Sequence, residues 1–239
     1  MRIRELFSAK DMTVGRPWKR ILEFSIPMLL GNLAQQLYNT ADSIVVGQYV
    51  GDDALSAVGS AMPILNLLLA LFVGISTGAG IVVSQSFGAK DRKGLTEAIG
   101  NCIVLSAIAS VVIMAVGPLI TMPMLKMLGT DVTIIDWCAD YLNIYFWGIV
   151  GFFFYNMLSG ILRGLGDSVS ALGFLLLAAA LNVVLDLLFV AGFDMGVAGV
   201  SLATVIAQTI SALFCFRKLM KMRAIFDLNK QTVKLDKNV

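Results

Sequence analysis

Residues 54–89 contain no Asp, Glu, Lys or Arg. A helical residue rises about 1.5 Å and a bilayer core is about 30 Å thick, so such a run crosses a membrane and must bend, tilt or project beyond it. Five further apolar runs share the chain, and together they mark spans at about 21–50, 54–89, 97–125, 139–162, 168–193 and 195–216. Each meets the roughly 20-residue requirement for a crossing helix. A hydrophobic content of 58% and a mean hydropathy of +0.84 exceed what a soluble domain carries. The first run is too long for a secretory leader and has no small-residue cleavage site. The expected fold class is all-α: a polytopic membrane protein with six transmembrane helices. A segment 1–20 precedes the helical lobe 21–216, and a basic tail 217–239 follows it.

Charge gives the orientation. Arg2, Arg4, Lys10, Arg16, Lys19 and Arg20 precede the first span. Lys90, Arg92 and Lys93 follow the second, Arg163 the fourth, and Arg217, Lys218, Lys221, Arg223, Lys230, Lys234 and Lys237 the sixth. Every basic residue except Lys126 therefore lies in alternate connections, which places both termini in the cytoplasm by the positive-inside rule. Asp52, Asp53, Asp131, Asp136 and Asp194 fall in the opposite connections. The basic tail reads as a topology signal and a lipid-headgroup contact rather than a nucleic-acid site.

Two acids break the apolar pattern. Asp42 lies in Ile26–Val50 and Asp186 in Ser168–Phe193, where the only other ionisable side chains are Tyr38 and Tyr49. A charge at membrane depth costs at least about 2.5–3.5 kcal/mol, so an unpaired intramembrane acid points to use. With the orientation above, Asp42, Asp186 and Thr204 all sit roughly 9–12 Å below the outer end of their spans at about 1.5 Å per residue. Asn182 shares the Asp186 face one turn deeper, and Tyr38 stands in the same relation to Asp42. Asn32, Gln35, Asn39 and Asp42 follow a 3-4-3 spacing that aligns amides and acid in one stripe. Intramembrane amides more often join helices than bind ligands, and a lone Thr usually bonds back to its own helix. The acids are what turn this stripe toward cation or proton binding. Spacing alone does not show that the three polar faces meet.

Other features carry shape. Gly74-x-x-x-Gly78 reads as a close helix contact. Pro27 and Pro63 each remove a backbone bond within a span, and Pro27 shares a helix with Asp42, so a hinge there can be coupled to the acid. Asp91, Asp167 and Asp194 read as solvated or capping loop residues. Cys102, Cys138 and Cys215 have no paired spacing, the chain has no histidine, and no Gly-rich phosphate loop occurs. Those absences exclude imidazole chemistry, a His-ligated metal and ATP bound through a Walker loop. No cofactor is expected beyond a coupling ion.

Several stretches resemble the multidrug and toxic compound extrusion (MATE) family. They are Asp11-Met-Thr-Val-Gly, Pro27-Met-Leu-Leu-Gly-Asn, Tyr38-Asn-Thr-Ala-Asp42, Val46-Gly47, Ser84-Gln-Ser-Phe-Gly-Ala-Lys-Asp91, Arg163-Gly-Leu-Gly-Asp-Ser168, Asn182-x-x-x-Asp186 and Gly196-Val-Ala-Gly-Val-Ser-Leu-Ala-Thr204-Val-Ile-Ala-Gln208. They cover roughly residues 11–222 in the family's order. The resemblance implies a plasma-membrane exporter, bacterial inner membrane being the expected location, that exchanges organic cations or drugs for Na+ or H+. It implies a cation site at Asp42, Asn182, Asp186 and Thr204, where Na+ can bind, with Tyr38 and Tyr141 as neighbours and Gln35 and Asn39 along the substrate path. The family has two six-helix lobes with the substrate cavity between them. This chain matches one lobe, so it is expected to be a truncated half that pairs with a C-terminal lobe or with a second copy of itself.

Two other functions fit parts of this pattern. A lipid-linked oligosaccharide flippase of the same superfamily would want an arginine-lined cavity for phosphate, whereas the basic residues here lie almost wholly in the cytoplasmic connections. An intramembrane aspartyl protease is suggested by Gly164-Leu-Gly-Asp167, but its two acids must share one depth. Asp167 and Asp42 are expected at opposite ends.

Overall fold

The computed structural model describes residues 16–222 together with 225 and 226. The N-terminal residues Arg2, Arg4 and Lys10, the Asp11–Gly15 motif, and Arg223, Lys230, Lys234 and Lys237 of the tail lie outside the described residues. All the regular structure described is helical: α1 Pro17–Tyr49, α2 Asp52–Gly88, α3 Arg92–Met127, α4 Ile135–Trp147, α5 Ile149–Gly164, α6 Ser168–Asp186, a π-helical turn Leu187–Gly192, and α7 Gly196–Lys221.

The helix ends follow from local chemistry. Pro17 opens α1, where its missing N–H costs nothing. Gly51, at φ 116°, makes the tight reversal into α2, whose first turn carries Asp52 and Asp53 against the positive helix end. Asp91 caps α3 through the Gly94 N–H at 3.0 Å. The Arg163–Ser168 motif is a stop and a start. Gly166 takes a left-handed φ of 81°, its N–H reaches the Arg163 carbonyl, and the Asp167 N–H reaches that of Leu162. Asp167 then caps α6, accepting from the Ser170 N–H at 3.0 Å and the Ser170 hydroxyl at 2.8 Å.

Among the described residues, α2, α3, the α6–π pair and α7 are each long and apolar enough to cross a membrane, and α4 with α5, bent by 55°, is long and apolar enough when taken as one span. The chain is thus an all-α integral membrane protein. At 33 residues α1 has the length but is less apolar, because its amides and Asp42 interrupt the run. The fourth expected span, 139–162, is not one rod. It breaks at Gly148, where an added Cβ would overlap the Val205 side chain, so glycine lets α4 and α5 fold over α7.

α5 is the hub. It packs on α2, α3 and α7, while α1 lies along α6 and α4 along α7. Two apolar cores form at opposite ends. One joins Phe72, Phe153, Ile161, Leu219 and Phe226; the other joins Val46, Ala57, Leu142, Val190 and Val200. The close contact expected at Gly74 and Gly78 does not exist, since a Cβ at either would meet nothing within 4 Å. The tight seam runs one face over. A Cβ on Gly164 would stand 2.6 Å from the Gly80 carbonyl oxygen, and one on Gly80 would stand 3.1 Å from that of Gly160. Beside it, the Ser76 hydroxyl donates to the Asn156 carbonyl at 2.6 Å. A small-residue pair marks a close approach only where another helix arrives.

Candidate cation site and its relatives

Packing of α1 on α6, and of α6 on α7, brings together the residues that spacing had only put at one level. Asp42 is 6% exposed, Asp186 and Asn182 are fully buried, and Thr204 is 2% exposed. The two carboxyl groups lie close enough to interact directly. Asn182 lies between them and Thr204. With its amide oriented to satisfy both neighbours, the nitrogen donates to Asp42 Oδ1 at 2.6 Å and to Asp186 Oδ2 at 3.1 Å. Its oxygen accepts from Thr204 Oγ1 at 3.2 Å. Thr204 Oγ1 accepts in turn from the Tyr38 hydroxyl at 3.1 Å. Four helical turns from three helices thus close one polar chain: Tyr38, Thr204, Asn182 and the acid pair. Among the described residues, no basic side chain pairs with either acid.

The charge accounting is strict. Two carboxylates in contact within a low dielectric cannot both stay ionised without positive charge between them. One amide supplies two N–H donors, which share the remaining load but do not cancel it. Asp186 Oδ1 is buried without a hydrogen-bond partner, so one acceptor of the pair is still open. A shared proton, or a small hard cation on the oxygens, completes the site. No group of three or more His, Cys, Asp or Glu occurs among the described residues. Two carboxyls with neutral oxygens therefore suit a monovalent ion better than a divalent one.

Tyr141 is buried beside this pair, within electrostatic reach of both acids. Tyr145, not singled out from sequence, stands one turn along α4 with ring centroids 5.9 Å apart, and it also faces Asp42. The i, i+4 spacing of the two tyrosines was the available signal. Gln35 is not in the polar chain and lines a separate cavity toward the other end. Asn39 offers only its backbone carbonyl, to the Ser43 hydroxyl. Pro27 lies inside the continuous α1 and lines that same cavity. The π-helical turn begins directly after Asp186, the kind of local rewinding that gathers at functional sites.

Asp167 is neither solvated nor near these acids. Besides capping α6, it is fully buried and holds the Lys218 ammonium at 3.2 Å, so the GxGD lookalike is a structural ion pair. Arg163 is not a free loop residue either. It belongs to the last turn of α5, donates to Ser159 Oγ at 3.2 Å and lines the cavity.

Comparison with known proteins identifies the fold and the family. A family model described as MatE matches residues 27–188. The chain is 35% identical to a probable multidrug resistance protein, YpnP, of Bacillus subtilis (strain 168), over 86% of this chain and 46% of that one. It is 25% identical to the multidrug export protein MepA of Staphylococcus aureus (strain NCTC 8325 / PS 47), over 93% and 49%. Among solved structures, a MATE in the bent conformation superposes with a TM-score of 0.89 at 29% identity, covering 97% of this chain and 52% of that one. An outward-facing multidrug resistance MATE family transporter of the MOP superfamily gives 0.88, also at 29% identity, with the same coverage. The chain spans about half the length of the curated relatives it matches. With the helix order, the shared fold and the family match in agreement, the chain belongs to the MatE family of transporters.

Proposed function

We propose that this chain is the ion-coupling half of a secondary active multidrug exporter, exchanging organic cations or drugs for an ion across the plasma membrane. The observation that carries this reading is the pair of enclosed carboxyls bridged by one amide. Asp42 and Asp186 carry the ion, Asn182 and Thr204 position it, and Tyr38 and Tyr141 seal it.

The closeness of the two carboxyls on one amide favours a proton as the ion, because a single proton lets the pair carry one charge instead of two. Na+ is the second reading, supported by the open Asp186 Oδ1 and the all-oxygen surroundings. In either case the coupling is electrostatic. A loaded pair holds α1 against α6. An unloaded pair places two like charges in contact at low dielectric and drives the helices apart. Pro27 gives α1 a place to bend.

Alternating access rocks one bundle against another around a site between them. A second six-helix lobe, or a second copy of this chain, therefore supplies the opposing wall. The exposed surface of α1 and α2 mixes amides and hydroxyls, such as Asn32, Gln36, Thr40 and Asn66, with apolar side chains such as Leu33, Leu37 and Leu67, a mixed face that supports an interlobe wall there, whereas α3 exposes Val111, Val112, Val116 and Leu119. The lipid-linked oligosaccharide flippase reading is less favoured, because the enclosed site is acidic and the cavity at the other end holds one arginine rather than an arginine lining.

The test is transport. Proteoliposomes with this chain alone should show no gradient-driven uptake of a cationic dye, and co-expression with a matching C-terminal lobe should restore it. Running the restored system in Na+-free buffer separates the two ions: uptake that persists on a proton gradient supports the proton, and uptake that vanishes supports Na+. Orientation is checked with an impermeant thiol reagent on a Cys-free background. Cysteines at Asp52 and Asp194 should label from outside, and one at Lys230 should not.

A further inference from the structure

The second half of the lobe holds a cavity of about 630 Å³ between α1, α2, α5, α6 and α7. Its chemistry inverts that of the cation site. No acid lines it, and its one charged residue is Arg163. Among the described residues that guanidinium has no carboxylate within ion-pair distance, and its one hydrogen bond goes to the neutral Ser159 hydroxyl of its own helix. A second orphan lies in the same lining. Gln208 is 2% exposed, and its Oε1 is buried with no hydrogen-bond partner. A guanidinium has five donors in a planar fork matched to carboxylate or phosphate, and leaving a buried charge or amide oxygen unpaired is expensive. The remaining lining is hydroxyl, amide and apolar, with Phe24, Leu69 and Phe152 among it.

We propose that this cavity binds an amphiphile whose anionic group, carboxylate or phosphate, is held by Arg163 and whose N–H or O–H donor is taken by Gln208, with its apolar body against α1 and α2. The ligand class is therefore anionic or zwitterionic, not a simple cation. Gln208 lies one helical turn from Thr204, so a ligand on it reaches the turn that carries the ion network. The assignment goes beyond the efflux reading, adding an anion-bearing ligand class to the cations named there. Its test is direct binding, so failure here leaves the ion coupling untouched, and loss of transport would not count against it.

The experiment is native mass spectrometry of the full 239-residue chain in a neutral detergent. It is titrated separately with 11-aminoundecanoate, its methyl ester, phosphatidylglycerol and the matching diacylglycerol. The acid should bind at least tenfold more tightly than its ester, or the anionic lipid than its neutral counterpart. Whichever anion binds more tightly identifies a free amphiphile or a lipid headgroup as the source. Arg163→Gln should erase that preference. Arg163→Lys, which keeps the charge but loses the fork, should retain part of it. Gln208→Leu should weaken the aminoundecanoate acid and ester alike by several-fold. Equal binding of each anion-bearing compound and its counterpart without the anion by the wild-type chain overturns the proposal, whether or not the Arg163 variants fold. So does an unchanged preference in Arg163→Gln, and so does no binding of either anion.

Discussion

The two ends of this lobe solve opposite problems with the same helices. At the Gly51 end, α1, α6 and α7 close tightly over two acids and leave them almost no space. At the Arg163 end the same helices part, and with α2 and α5 they surround a large cavity with one basic residue in it. The acids share the two N–H donors of Asn182, whereas the arginine has only a hydroxyl. A buried charge thus has meaning only with its surroundings: the enclosed acids are the basis of the proposed ion switch, and the under-paired base in a cavity is the basis of the proposed receptor.

The strongest way to break that comparison is to remove an acid. Asp42→Asn or Asp186→Asn, placed in a two-lobe context, should each lower cation-coupled efflux by roughly 100-fold or more while expression stays near wild type, because loss of the charge eases insertion. Unchanged efflux of a fluorescent cationic dye by Asp186→Asn would defeat the assignment. Next in size is the ion pair at the Arg163 end. Lys218→Met strands the buried Asp167 and should cost about 3 kcal/mol of stability, by the usual penalty for breaking one side of a buried pair. The double variant with Asp167→Asn should recover part of that loss in a thermal-unfolding assay, and a double variant worse than the single would show that the pair is not the cause.

The glycine seam gives a smaller effect. Gly164→Val meets the Gly80 carbonyl and should destabilise by about 1–3 kcal/mol, as overpacking does, while Gly74→Val and Gly78→Val should be neutral. Equal melting temperatures for all three would place the close contact elsewhere. Smallest is the rim of the ion network. Thr204→Val removes the hydroxyl shared by Tyr38 and Asn182, and Tyr38→Phe removes one bond, each worth about 1 kcal/mol. Efflux should fall several-fold in Thr204→Val and less in Tyr38→Phe, and the reverse order in a dye-efflux assay would mean that Tyr38 acts directly.

Much of this was legible in order of length scale. Apolar run length gave the membrane class and the helix order. Intramembrane charge singled out Asp42 and Asp186, and helical spacing placed Asn182, Thr204 and Tyr38 at their level. The misreadings were local. Gly74 and Gly78 have the spacing of a contact but face no helix in this lobe, while Gly160 and Gly164, a pair of the same spacing on α5, make the close approach to Ser76 and Gly80 of α2. Asp167 and Arg163 read as loop residues because they flank a turn, yet one is sealed under Lys218 and the other lines a cavity.

The sequence by itself determined the quantities that depend on neighbours in the chain: which segments cross, where caps and turns fall, and which acids no nearby base can neutralise. Only the tertiary structure decided which helix faces meet. It set α1 against α6 and α7 so that one amide bridges two acids, and it bent α4 away from α5 at Gly148 over Val205. It also left Arg163 and Gln208 in one cavity although they sit on different helices. The physical reason is that hydropathy and spacing fix a residue's depth and its side of a helix, whereas rotation of one helix against another is set by side-chain packing summed over the whole bundle.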